Sequence, residues 1–103
     1  MKNLRSQTTP EILAELGKRM RRTRLRENLG QAALATAAGL GERTLRKLEQ
    51  GGDVQLSTLI DLLRALNRLD ALEGFLPDPG ISPMELLERA GKQRRRREYG
   101  RIP

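Results

Sequence analysis

The 103-residue chain has no cysteine, no histidine and no tryptophan, and only one Phe and one Tyr. The first two absences exclude disulfides, thiol nucleophiles, imidazole bases and most zinc sites, so no metal and no cofactor is expected. There is no glycine-rich phosphate loop of the P-loop or dinucleotide type, and no acids cluster at metal-site spacing, which argues against an enzyme. Scarce aromatics leave a core to be built from Leu, Ile, Met and Ala. They also remove the stacking platform on which single-stranded nucleic acids are held, since only Phe75 and Tyr99 can stack on a base. No apolar run approaches the roughly 20 residues that span a bilayer. The opening MKNLRSQTTP lacks the apolar stretch of a signal peptide, and the basic tail lacks an apolar face for a membrane surface. A cytoplasmic chain with no membrane partner is expected.

What is abundant is positive charge. Twenty Lys and Arg face 13 Asp and Glu, for a net charge of +7. Its placement is uneven. Residues 11–30 are net positive, residues 31–60 balance, residues 61–90 are net negative and residues 91–103 are strongly positive. A polyanion is attracted by the first of these segments and by the tail, with the acidic third quarter turned away.

Apolar periodicity predicts helices throughout and no strands. Residues 1–8 read as a frayed terminus. Thr9-Pro10-Glu11 has the form of a helix start, with a hydroxyl cap, a proline in the first turn and an acid at the positive end of the dipole. Ile12, Leu13, Leu16 and Met20 make one stripe, with Lys18, Arg19, Arg21, Arg22 and Arg26 opposite, and Asn28 and Gly30 stop the helix. Two short helices follow, Gln31–Ala38 and Glu42–Gln50. Gly39 takes the left-handed turn between them, and Gly51-Gly52-Asp53 breaks the second. Leu34, Ala35, Ala38, Leu40, Leu45 and Leu48 must face inward for the pair to cross steeply, which is helix-turn-helix geometry. A fourth helix covers about Leu56–Leu66, burying Leu56, Leu59, Ile60, Leu63 and Leu66, with Asn67 as its left-handed exit. A short fifth carries Leu69, Leu72, Phe75 and Leu76. Pro77-Asp78-Pro79-Gly80 is a firm break. Ser82 and Glu85 then have capping-box spacing around Pro83, Ile81 can staple onto Leu86, and the sixth helix is expected to end near Gly91.

Leu16, Met20, Arg24, Leu29, Gln31, Leu34, Ala35, Gly39, Leu45, Leu48, Glu49, Gly51, Leu59 and Leu66 fall in the register of the Xre/Cro-type helix-turn-helix regulators, which the chain resembles over residues 16–66. The resemblance implies an all-α fold, a compact five- to six-helix bundle of the lambda-repressor-like DNA-binding type with a basic C-terminal tail. The implied layout is a flexible N-terminus (1–8), a DNA-binding domain (9–76, motif 31–51), a helical extension (77–91) and the tail (92–103). It further implies a bacterial repressor that binds a palindromic operator in double-stranded DNA as a homodimer and controls its own operon. The order of elements after Leu66 resembles HipB-like antitoxins. That implies the alternative, an interaction module that neutralises a HipA-like kinase toxin, with DNA binding secondary.

By the same resemblance Glu42, Arg43 and Lys47 stand at base-reading positions: Arg43 suits guanine, Glu42 suits cytosine N4, and Lys47 suits guanine or a phosphate. Gln31, Thr44 and Arg46 stand at phosphate-contact positions, Gln31 at the N–H-rich start of a helix. Arg24 and Glu49 match a structural ion pair that ties the first helix to the recognition helix. Gly41 departs from the pattern, since Ser or Thr usually caps the recognition helix, and glycine supplies no hydroxyl. Arg94, Arg95, Arg96 and Arg97 read as a solvated tail, a DNA-contacting arm or an insert for an acidic protein groove. Leu69, Leu72, Phe75, Leu76, Leu86 and Leu87 are candidates for a dimer contact or for closing the monomer core.

Overall fold

The computed structural model describes residues 4–100, with side chains described for residues 4–92. After a 3-10 turn at Leu4–Ser6, six helices follow: α1 Thr9–Arg26, α2 Gln31–Ala38, α3 Glu42–Glu49, α4 Leu56–Ala65, α5 Asp70–Phe75 and α6 Pro83–Gly100. There is no strand among the described residues. The chain divides into two compact units, one up to Glu73 and one from Gly74.

The first unit holds the helix-turn-helix. α1 packs on α3, and α2 packs on both α3 and α4. Leu34, Leu45 and Leu62, one from each of α2, α3 and α4, are fully buried where those helices meet, and Met20, Ala35, Leu48 and Leu66 complete the core. The expected inward set of the motif is the observed one, with Ala38 and Leu40 partly buried against the core. On α4 the face is only partly the expected one, with Leu66 buried and Leu59 and Leu63 partly buried against the core. Leu56 is exposed, whereas Thr58, Leu62 and Leu66 are buried at four-residue intervals. So many positions of this helix are apolar that its sequence offers two stripes, and packing on α2 selects the one centred on Leu62. Leu16, expected in the α1 stripe, is 42% exposed.

Local chemistry fixes the helix ends. Thr8, one residue before the expected Thr9, caps α1: its hydroxyl accepts from Glu11 N–H and the Glu11 carboxylate accepts from Thr8 N–H, a reciprocal capping box. At the other end α1 to α4 all stop the same way. Asn28, Gly39, Gly51 and Asn67 take positive φ. The next residue's N–H then reaches back to close the turn: Leu29 to Arg24, Leu40 to Ala35, Gly52 to Lys47 and Arg68 to Leu63, at 2.7–3.2 Å. These are Schellman endings, which satisfy carbonyls that the helix leaves unpaired. Leu29 and Leu40 turn back onto the core in the process.

One residue unremarked in the sequence sets the α1–α3 distance. Gly17, in the middle of α1, is buried. A Cβ built on it would lie 2.5 Å from the Leu48 carbonyl oxygen and 2.9 Å from that of Glu49. On Gly51, just past α3, a Cβ would lie 3.0 Å from Ala14 Cα. The two backbones therefore meet almost bare.

The second unit carries α6. Ser82 caps it, its hydroxyl accepting from Glu85 N–H at 3.2 Å. The helix does not end near Gly91 but runs on to Gly100. A glycine costs a helix only about 1 kcal/mol, and the Glu, Arg, Ala, Lys and Gln around it are strong helix formers. Ile81 and Leu86 remain 51% and 56% exposed, so the anticipated staple buries little.

Candidate nucleic-acid interface

α3 divides its residues sharply. Leu45, Leu48 and Glu49 face inward and are buried, Thr44 is half-buried, and Glu42, Arg43, Arg46 and Lys47 are exposed. Arg43 and Lys47 lie four residues apart on one outward stripe, and neither side chain has a hydrogen-bond or ion-pair partner among the described residues. Gln50, exposed and seven residues from Arg43, continues the stripe. Sequence reasoning stopped at Lys47, although the same spacing pointed to Gln50. Arg43, Arg46, Lys47, Gln50, Gly51 and Gly52 line an open groove at the end of the helix. Thr44 and Lys47 also border a second groove with Asp53, Val54, Gln55 and Thr58.

Glu42 and Arg46, expected to face different parts of a ligand, pair with each other at 3.4 Å across one helical turn. Both are about half exposed, so solvent screens the pair. Replacing either by Ala is expected to change folding stability by less than about 1 kcal/mol, measured by urea titration.

Beneath this surface lies the Arg24–Glu49 pair. Arg24 Nε donates to Glu49 Oε2 at 2.7 Å and Nη2 to Oε1 at 2.9 Å, a two-pronged bridge from α1 to α3. Arg24 Nη1 donates to the Leu29 carbonyl at 2.8 Å, so the same guanidinium also holds the α1–α2 turn. Both side chains are almost wholly buried. The hydrogen bond to Glu49 raises the Arg24 pKa above its ordinary value; burial opposes this and the Glu49 charge adds to it. Because the folded value is the higher one, the stabilisation from protonating Arg24 is complete below the ordinary guanidinium range and fades only as pH rises through it.

Gln31 belongs to this network too. Its Nε2 donates to Glu49 Oε1 at 3.2 Å, and the side chain is half-buried. The first residue of α2 is thereby fixed to the last residue of α3. Gly30 and Gly41, the N-caps of α2 and α3, make no side-chain cap hydrogen bond. Arg94, Arg95, Arg96 and Arg97 lie on α6 outside the residues whose side chains are described.

Among the described residues no group of His, Cys, Asp or Glu is arranged to hold a metal ion, and no helix is long and apolar enough to cross a membrane. No curated protein matches the chain. A family model described as a helix-turn-helix domain matches residues 15–74, from the middle of α1 to α5. This span contains the buried bridge, the tight α2–α3 turn and the outward stripe of α3, and with it more than half of the chain: the protein belongs to the helix-turn-helix domain family, a class of DNA-binding regulators.

Proposed function

We propose that the chain is a sequence-specific transcriptional repressor of its own operon, acting in the cytoplasm as a homodimer on a palindromic operator. The observation that carries this reading is the unpartnered outward pair Arg43 and Lys47 on a helix anchored from behind by a buried ion pair. In this reading two copies of α3 enter successive major grooves about 34 Å apart. Arg43 reads guanine O6 and N7, Lys47 reads guanine or holds a phosphate, and Glu42 accepts from cytosine N4, with Oε2 free of its pair with Arg46. Thr44, Arg46 and Gln31 meet the phosphate backbone. One amide hydrogen of Gln31 is engaged with Glu49, which leaves the other for a phosphate oxygen.

Footprinting on the chain's own promoter across a salt series tests the proposal. Protection of a palindrome with a steep salt slope is expected, and no protection at low salt overturns it. Arg43→Ala is expected to cost about 1–3 kcal/mol on the operator and to relax the choice of base at one position. Equal weakening on every sequence assigns Arg43 to the phosphates instead.

The second reading, an antitoxin-type module that neutralises a HipA-like kinase toxin, draws on the second unit. Phe75, Leu76, Met84 and Leu87 are all at least 67% exposed there. Apolar side chains left this exposed within residues 75–87 offer surface for a contact with another protein. If a kinase-like gene lies beside this one, exchanging Leu76 and Leu87 for Ser is expected to abolish capture of its product and to leave operator binding intact. Retained capture rejects this reading.

A further inference from the structure

The turn that ends α3 contains two glycines, and only the first is required by its backbone angle: Gly51 has φ +88°, whereas Gly52 does not lie in the positive-φ region. An L-residue is therefore allowed at position 52 as far as φ is concerned. The obstacle is space. A Cβ built on Gly52 would lie 2.5 Å from Lys47 Cγ and 3.2 Å from Lys47 Cε, and 2.9 Å from the Lys47 carbonyl oxygen that Gly52 N–H caps. Two carbons of the Lys47 stem thus run along the bare backbone of Gly52. The Lys47 ammonium has no ion-pair or hydrogen-bond partner among the described residues, so contact along its stem is what gives the long side chain a direction.

We propose that Gly52 is a positioning residue for DNA recognition: its missing side chain leaves the channel that aims the Lys47 ammonium. The proposal rests on the reading above, in which Lys47 meets DNA. A lysine side chain loses much rotamer freedom when it is fixed on a ligand. Lying in a channel before DNA arrives, it has less freedom left to lose.

The test compares the wild-type chain with Lys47→Ala, Gly52→Ala and the double variant, on a duplex recovered by the wild-type chain from a randomised pool. Lys47→Ala removes Cγ and Cε, so a Cβ at position 52 then faces only the carbonyl oxygen. Gly52→Ala alone is expected to weaken binding roughly three- to tenfold, the scale of ordering one long side chain. It is also expected to lower the salt slope toward that of Lys47→Ala. In the Lys47→Ala background only the 2.9 Å approach to the carbonyl oxygen remains, and the further loss is expected to be clearly smaller. A further loss of equal size in both backgrounds shows that position 52 acts on the fold, and overturns the inference. Unchanged binding by Lys47→Ala removes instead the reading on which the inference rests, so the two failures are distinguishable. If Gly52→Ala does not fold alone, the double variant decides. A double variant that folds supports the channel, because removing the Lys47 stem has then relieved the clash, and failure to fold rejects it.

Discussion

Glu49→Ala is expected to destabilise the fold by about 3–5 kcal/mol, because it strands the Arg24 guanidinium in a buried site. Arg24 loses two of its three hydrogen bonds and Gln31 loses its acceptor, while the Leu29 carbonyl alone remains to the guanidinium. Against a total of about 5–15 kcal/mol for a domain of this kind, that loss is a large fraction of the margin. A urea titration followed by helical circular dichroism measures it as a large fall in midpoint at unchanged slope. The companion experiment separates the pair's net contribution from the penalty of breaking it. Arg24→Met with Glu49→Leu removes both charges, and is expected to recover most of the stability lost by either single change. If the double variant is no more stable than Glu49→Ala, the bridge stabilises the fold well beyond what apolar packing supplies there.

Gly17→Ala is expected to destabilise the protein although the substitution improves helix propensity. In an open helix interior this change gains about 1 kcal/mol. Here the new methyl meets the Leu48 and Glu49 carbonyl oxygens, which belong to the backbone and cannot rotate aside. α1 must move off α3, and moving it disturbs the Arg24–Glu49 geometry one helical turn or two away. Overpacking of this kind costs about 1–3 kcal/mol, enough to reverse the sign, and Gly17→Leu is expected to exceed that range and leave the chain largely unfolded at ambient temperature. Thermal melts of both variants decide the point. A raised midpoint for Gly17→Ala shows that the two backbones are not in contact.

The helix boundaries were legible where a single residue type carries the signal. Gly39 and Asn67 read as left-handed helix exits in the sequence, Asn28 and Gly51 only as helix stops, and all four take positive φ in the structure. The start of α1 was legible too, but at Thr8 rather than Thr9: the Thr-x-x-Glu spacing from Thr8 to Glu11 outweighs the nearness of Thr9 to Pro10. Three features were not open to inspection of the sequence. α4 has apolar residues around most of its circumference, and its buried face depends on what α2 presents. Gly17 looks like a weak point in a helix until the carbonyls of α3 are brought against it. The Gln31–Glu49 hydrogen bond joins residues 18 apart in sequence and follows from the crossing of α2 and α3, not from any local pattern. The Arg24–Glu49 bridge was anticipated through the family register, but its third bond, to the Leu29 carbonyl, depends on the Asn28 turn.

The division of labour along α3 has a consequence for how such a protein changes over time. Leu45, Leu48 and Glu49 anchor the helix, while Glu42, Arg43, Arg46 and Lys47 stand in water with a single screened ion pair among them. Among helix-forming residues, exchanges at those four positions therefore cost the fold little. A descendant gene, or a library with all four codons varied, can explore new target sequences without first having to repair the scaffold that displays them.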